Sequence, residues 1–535
     1  GVHERPCPTA YPYTAGYPPG EGRQVSDTEV QTPTSVELGR RVAERAERRL
    51  LIDGKLIEAA GGATYPNVSP ATGLVLGEAA AATADDMRAA IAAARRAFDE
   101  TDWSSNRELR KQCLTQLQAA LESEKEDLRE EIIAEVGSPD MATRNAQLDW
   151  PLQEALNYPI RLVDEFEWER TLDGGGLFGD RNIRKVVKEA IGVVAAITPS
   201  NYPIEVILNK IGPALAAGNT VVLKPDPNAP WTGLRLGRLI AEHTDFPAGV
   251  INVVTTPDND VAGILATDPR VDLISFTGST AVGKHLMREA AETMKRVFLE
   301  LGGKSALIVL DDADPGKAVM GAMGTCQHAG QGCAINTRLL VHRSLYDTVI
   351  EQVKFAFGLA PVGDPADPGV LTGPLITAAA KDKVLSMIAQ AREAGAEIVF
   401  GGGVPENLPE HLADGHYVQP TVITRVGADT PIAQEEVFGP VLVIIPFDTD
   451  DEAVAIANST PYGLAGAVLS GDLDRGLAVA NRIRTGAIGV NGGMFYSADA
   501  PFGGFGSSGV GRQCGTEGFN QYLETRTIAH RAPRS

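Results

Sequence analysis

Cys333 sits in the run Ala329-Gly330-Gln331-Gly332-Cys333-Ala334, where flanking glycines leave a thiol uncrowded and let backbone approach a ligand closely. An accessible thiol that can ionise is a nucleophile, whereas a buried one is inert. Cys7, Cys113, Cys326 and Cys514 lack that setting and read as inert thiols. Cys326, His328 and Cys333 can be drawn as a metal cluster or a Cys–His pair. Their spacing fits no standard zinc pattern and no second group completes four ligands, so no metal is expected. Glu300 lies in Leu299-Glu300-Leu301-Gly302-Gly303-Lys304, directly after an apolar run. A carboxyl desolvated at the end of a buried strand gains a raised pKa and suits general-base work. An ion pair with Lys304 is the competing reading. Phe276-Thr277-Gly278-Ser279-Thr280-Ala281-Val282-Gly283 joins a strand to a helix. Gly278 permits the tight turn, Ser279 and Thr280 can cap the helix, and free N–H groups there can hold a phosphate or pyrophosphate. The string is not G-x-G-x-x-G, and a plainly capped helix explains it equally well. Lys224-Pro225 closes another apolar run and points either into a crevice or into solvent.

These residues require an α/β framework to position them. From Ile191 to Val309, short β-branched runs near 192–197, 220–223, 250–254, 272–276 and 297–299 alternate with helical stretches. Continuous apolar runs of that length are what strands buried on both faces look like, and the alternation predicts a doubly wound parallel sheet. A second α/β series runs from Ser305 to about Val490, with helices expected at Tyr346–Phe357 and Ala378–Glu393. Upstream, one strand is expected over 50–57 and one helical block over 107–135. Residues 1–34 are rich in Pro, Tyr, Gly and Thr without apolar periodicity and read as a disordered or loosely attached tail. Residues 503–511 read as a Gly/Ser-rich loop.

Composition narrows the function. A chain of 535 residues exceeds what one core supports. Its formal charge of −21 argues against nucleic acid as a partner, since phosphate binding needs clustered Lys and Arg. Five cysteines without close pairing suit an intracellular, cytoplasmic protein rather than a disulfide scaffold. No uncharged apolar run approaches the roughly 18 residues of a membrane span, and no basic-then-apolar signal pattern opens the chain.

Taken together and in order, Pro199-Ser200-Asn201-Tyr202-Pro203, Lys224-Pro225, Phe276–Gly283, Glu300–Lys304, Cys333, Glu435-Glu436-Val437-Phe438-Gly439-Pro440 and Pro501-Phe502-Gly503-Gly504 resemble the aldehyde dehydrogenase superfamily. The resemblance spans about Leu50 to Thr527. It implies oxidation of an aldehyde to its acid with NAD as hydride acceptor, through a thiohemiacetal and a thioester on Cys333. Asn201 and the Cys333 backbone N–H would hold the oxyanion, Glu300 would activate water, and Lys210 would relay protons. Lys224, Phe276, Gly278, Ser279, Gly302, Glu436 and Phe438 would line the cofactor. The implied architecture is a Rossmann-like cofactor domain (35–171 and 191–302) and a catalytic domain (303–499). A small β oligomerisation arm with the C-terminal segment (172–190 and 500–535) predicts a homodimer or homotetramer.

The departures are specific. Ser200 replaces the family's common Trp. Pro227 stands where NAD-preferring members often carry Glu on the adenosine ribose, which leaves NADP open. Gln513 replaces an acidic residue and cannot carry a proton, which puts the relay through Lys210 in question. Thr255-Thr256-Pro257 replaces usual glycines. Glu205, placed to line the substrate tunnel, would disfavour carboxylate-bearing aldehydes by like-charge repulsion unless it turns away into a salt bridge. Two rivals stand beside this reading. One is an acylating enzyme that releases the thioester to coenzyme A, against which Glu300 speaks. The other is a catalytically retired cofactor-binding protein on the same scaffold.

Overall fold

Five apolar runs form parallel strands: Val193–Ile197, Thr220–Lys224, Ile251–Val253, Leu273–Thr277 and Arg296–Glu300. The structure is a computed structural model that describes residues 32–174 and 182–531. Across the sheet the order runs Arg296–Glu300, Leu273–Thr277, Val193–Ile197, Thr220–Lys224, Ile251–Val253. Chain order therefore reverses between Val193–Ile197 and Leu273–Thr277, the switch point at which doubly wound sheets open a binding crevice. Helices Pro203–Ala216 and Pro230–His243 each begin with proline, whose missing N–H would lack a partner there anyway. They pack into one core with Leu208, Ile211, Leu234 and Leu239 fully buried.

Both edges of this sheet are closed by antiparallel additions. At one edge, residues 50–57 form two strands rather than one. Asp53 and Gly54, at φ 54° and 73°, turn the chain so that Leu50–Ile52 pairs with Lys55–Ile57. At the other edge, Gly509–Val510 pairs with Leu299 and Glu300, so the predicted loop is partly strand. Gly509 has φ 139°, and a Cβ there would lie 2.0 Å from the Leu299 carbonyl oxygen. Only glycine permits that approach. The expected single block over 107–135 is two helices, Arg107–Ser123 and Lys125–Val136, which meet at Glu124.

The second lobe holds seven strands, in the order Glu397–Phe400, Thr421–Thr424, Val441–Phe447, Arg338–His342, Ala306–Val309, Gly466–Leu469, Gly489–Val490. All are parallel except Glu397–Phe400 at the edge. Ile308, Leu340 and Val443 pack on one face while Leu307, Leu339 and Leu442 pack on the other, the two-residue alternation of a sheet covered on both sides. A three-stranded antiparallel sheet joins Glu169–Asp173, Asn182–Ala190 and Leu523–Arg531. The arm expected from 172 thus begins at Glu169. Of the expected tail, residues 1–31 lie outside the described residues, as do 175–181 of the arm and 532–535. Thr34 caps helix Ser35–Arg45 in a capping box with Glu37. Among the described residues, no helix is long and apolar enough to cross a membrane, and no group of His, Cys, Asp and Glu is placed to hold a metal.

Candidate active site

The chain segments that leave the two switch-point strands carry Asn201 on one side and Gly278-Ser279 on the other. Lys224 ends the next strand outward and Glu300 ends the strand on the opposite flank. Five of the expected site residues, Asn201, Gly278, Ser279, Lys224 and Glu300, therefore converge because parallel strands end on one side of a sheet. Cys333 arrives from the second lobe, just before strand Arg338–His342. A Cβ on Gly303 would lie 2.7 Å from the Cys333 carbonyl oxygen, so glycine is what lets the two lobes meet here.

The loop that carries Cys333 is held firmly. His328, Ala329 and Gly330 take φ values of 47°, 51° and 70° in succession, and two non-glycine residues in that region cost of order 1 kcal/mol each. Gly330 is obligatory, since a Cβ would meet the Gly439 carbonyl oxygen at 2.2 Å. Gln331, 1% exposed, locks the turn. Its Nε2 donates to the carbonyls of His328 and Pro374 (3.1 and 3.2 Å), and its Oε1 accepts from the Ile376 N–H at 3.0 Å. Asn201 Nδ2 donates to the Gln331 carbonyl at 2.8 Å, which ties the amide to the same loop and leaves its second N–H free. Cys333 itself is half-buried and reduced.

Four titratable groups share this site. The Glu300 carboxyl acts on the titration of the Cys333 thiol. Burial pushes the thiol well above its ordinary range, and the carboxylates of Glu300, Glu436 and Glu205 push it further. Burial also raises Glu300, against the pull of Lys210, and one Glu300 oxygen has no hydrogen-bond partner. Lys210 is fully buried, donates to Ser275 Oγ at 3.2 Å, and lies 4.7 Å over the Phe298 ring. Burial lowers it, with Glu300 and Glu205 opposing. Glu205 makes no salt bridge among the described residues. Its Oε1 accepts from Asn209 Nδ2 at 2.6 Å and from the Tyr496 hydroxyl, and burial pushes its carboxyl up to about 7. The expected Glu300–Lys304 pair does not form: Lys304 is buried, its ammonium nitrogen has no hydrogen-bond partner, and burial lowers it to about 7.

The expected cofactor residues divide into two kinds. Gly302 is a cradle, since a Cβ there would lie 2.3 Å from Glu436 Oε2, and the Gly303 N–H donates to Glu436 Oε1 at 3.0 Å. Lys224 is buried and, among the described residues, only the Pro225 carbonyl, 3.3 Å away, is bonded to its ammonium. Ser279, exposed, caps helix Thr280–Ala291 by accepting from the Val282 N–H at 3.3 Å, and a helix start of this kind can hold an anion. Ribose hydroxyls and a pyrophosphate fit these donors and acceptors. Phe276 is different. Its buried ring underlies Gly278, where a Cβ would lie 2.4 Å from it, so it floors the turn. Phe438 is half-buried at φ 58°. Sequence reasoning missed Tyr496, Asn209 and Gln331 as site residues, and no spacing signal marks them.

The model of the aldehyde dehydrogenase family matches residues 56–528. A 3-succinoylsemialdehyde-pyridine dehydrogenase of Pseudomonas sp is 38% identical over 491 residues, covering 90% of this chain and 98% of that protein. A peroxisomal aminoaldehyde dehydrogenase 1 of Pisum sativum is 37% identical over 489 residues, covering 90% and 95%. Among solved structures, a betaine aldehyde dehydrogenase from Staphylococcus aureus in complex with NAD+ superposes with a TM-score of 0.89 at 34% identity, covering 93% of this chain and 98% of that one.

Proposed function

The chain belongs to the aldehyde dehydrogenase family, and from that premise we propose how its own residues oxidise an aldehyde to the carboxylic acid with NAD. Cys333 Sγ attacks the carbonyl carbon as the thiol proton passes to Glu300. The oxyanion forms between the free N–H of Asn201 Nδ2 and the Cys333 backbone N–H. Donors aimed at charge that exists only in the transition state are worth about 2.7–4 kcal/mol each. When bound, NAD would supply the acceptor for the hydride leaving the adduct carbon. Glu300 then takes a proton from water, whose oxygen bonds to the thioester carbon as the C–S bond breaks.

Lys224 and Ser279 would hold the adenosine ribose and pyrophosphate, and Glu436 the second ribose. We assign 35–171 and 191–302 to the cofactor domain and 303–499 to the catalytic domain. The exposed strand Glu169–Asp173 is last in the order of its three-stranded sheet, a position from which a second copy can extend the sheet, which favours a homodimer or homotetramer. Free thiols at Cys113, Cys326, Cys333 and Cys514 suit a reducing cytoplasm.

The observation that carries this reading is the tether of Asn201 to the loop that holds Cys333, on whose thiol the buried Glu300 carboxyl acts. An aldehyde panel with NAD and with NADP, with Cys333→Ala as blank, tests it. NADH formation that needs Cys333 and no coenzyme A is expected. NADH formation only with coenzyme A, or none with any aldehyde, overturns it.

A further inference from the structure

Glu205 and Gln513 lie on either side of one hydroxyl. Tyr496 Oη accepts from Gln513 Nε2 at 3.0 Å and from Asn209 Nδ2 at 3.2 Å. With both of those donors filling its lone pairs, its single proton is directed to Glu205 Oε1, which also accepts from Asn209 Nδ2. Glu205 Oε1 is thus occupied by two donors, while Oε2 makes no hydrogen bond among the described residues. A proton on Glu205 therefore resides on Oε2. Gln513 and Asn209, the other polar side chains on this hub, have nothing to titrate.

We propose that Glu205 is the proton-relay residue of this site, taking at Oε2 the proton that Glu300 has received from Cys333, so that Glu300 is again a base when water attacks the thioester. The inference rests on the aldehyde-oxidising reading above. Its balance is simple. The thiol proton moves to Glu300 as the S–C bond forms, then through tunnel water to Glu205 and out to solvent. In the second half, Glu300 accepts a proton from water as the O–C bond forms and the thiolate leaves. That proton returns to the thiolate, and the acid product ionises on its own.

The surroundings suit this task. The groups that share Glu205's field are Lys210 on its own helix, Tyr202 just before that helix, Glu300, Cys333, Tyr496 and Cys514. Lys210 is the one cation among them and interacts with both carboxyls, so a charge on either is offset wherever the proton rests. Burial brings the Glu205 carboxyl into the neutral range, where loading and unloading are both easy. A like-charge barrier to carboxylate-bearing aldehydes is then weak at neutral pH, when this carboxyl is partly protonated.

The test is stopped-flow mixing of the full-length enzyme with propanal and NAD in weak buffer, following NADH fluorescence and a pH-indicator dye together. In the wild type, proton release should keep pace with NADH. In Glu205→Gln, which keeps the size and the Oε1 bonds, NADH from the first turnover should persist. Proton release and later turnovers should slow about tenfold to a hundredfold, with loss of the pH dependence near neutrality. Adding Gln513→Glu restores a carboxyl across Tyr496 and should recover most of the rate. Infrared titration should lose one protonated carboxyl band in Glu205→Gln. Wild-type proton kinetics and pH profile in Glu205→Gln, or no recovery in the folded double variant, overturns the relay. Absence of NADH in the wild type with propanal and with every other aldehyde of the panel instead overturns the aldehyde reading, and the relay with it.

Discussion

Glu300→Gln separates the two halves of the reaction. Glu300 is 3% exposed and keeps one oxygen without a partner among the described residues, so a water it activated would have no competing base from bulk solvent. The Oε1 atoms of the other carboxyls nearby are engaged, that of Glu205 by Tyr496 and Asn209 and that of Glu436 by the Gly303 N–H, so neither matches Glu300 as a base at the thioester carbon. A positioned general base contributes about 10²–10⁴-fold, or roughly 2.7–5.5 kcal/mol, and the lack of a substitute places the loss in the upper half of that range. The effect on the thiol has the opposite sign. Glu300's charge and its hydrogen bond both raise the Cys333 pKa, so neutralising the carboxyl lowers it. Thiolate then forms by loss of the proton to solvent, increasingly as pH rises. Rapid mixing at alkaline pH should give one NADH per thiol followed by stalled turnover, and intact-mass measurement should find the acyl group held on Cys333. Wild-type kcat should rise with pH through a region above the usual carboxylate range, because burial raises Glu300 and its base form is gained only above that raised pKa. The variant should lose that limb. Steady-state turnover within about threefold of wild type, or stalled protein without an acyl adduct, would refute the assignment.

Asn201→Ala should lower kcat about 10²–10³-fold with KM nearly unchanged, since the lost N–H meets charge only in the transition state; a change confined to KM would count against it. Asp226, half-buried beside Lys224 and held by the Asn228 N–H and side-chain amide at 2.8 Å each, puts a negative charge one residue before Pro227. Asp226→Asn should shift the kcat/KM ratio toward NADP by about tenfold, worth about 1.4 kcal/mol of relieved repulsion; an unchanged ratio would show that this carboxylate does not face the ribose. Glu131, fully buried, meets Arg235 Nε at 2.7 Å, and Glu131→Ala leaves that guanidinium buried with Glu124 as its remaining ion-pair partner at close range. Thermal and urea unfolding should show about 3–5 kcal/mol of lost stability, and a loss under about 1 kcal/mol would contradict the pair's burial.

The strand–helix rhythm from 191 to 309 was legible because strands buried on both faces must be continuous apolar runs, whatever covers them. The placement of Lys224 and Glu300 at strand ends, and of Ser279 and Cys333 in turns that contain glycine, was legible because backbone geometry there restricts the residue type. The remainder was settled by packing. Residues 50–57 bend at Asp53-Gly54 because the antiparallel partner of Leu51 is Val253, some 200 positions away in the chain. Gly509 reaches the strand of Glu300 only once the C-terminal segment has folded back over it. Lys304 had the right spacing to pair with Glu300, yet the backbone after Gly302-Gly303 carries it elsewhere and leaves it unbonded. Glu205, Tyr496 and Gln513 share one hydroxyl across a separation of 291 residues. Local sequence sets what a segment prefers to be; which polar atom finds which partner depends on distances that exist only after the chain has closed on itself.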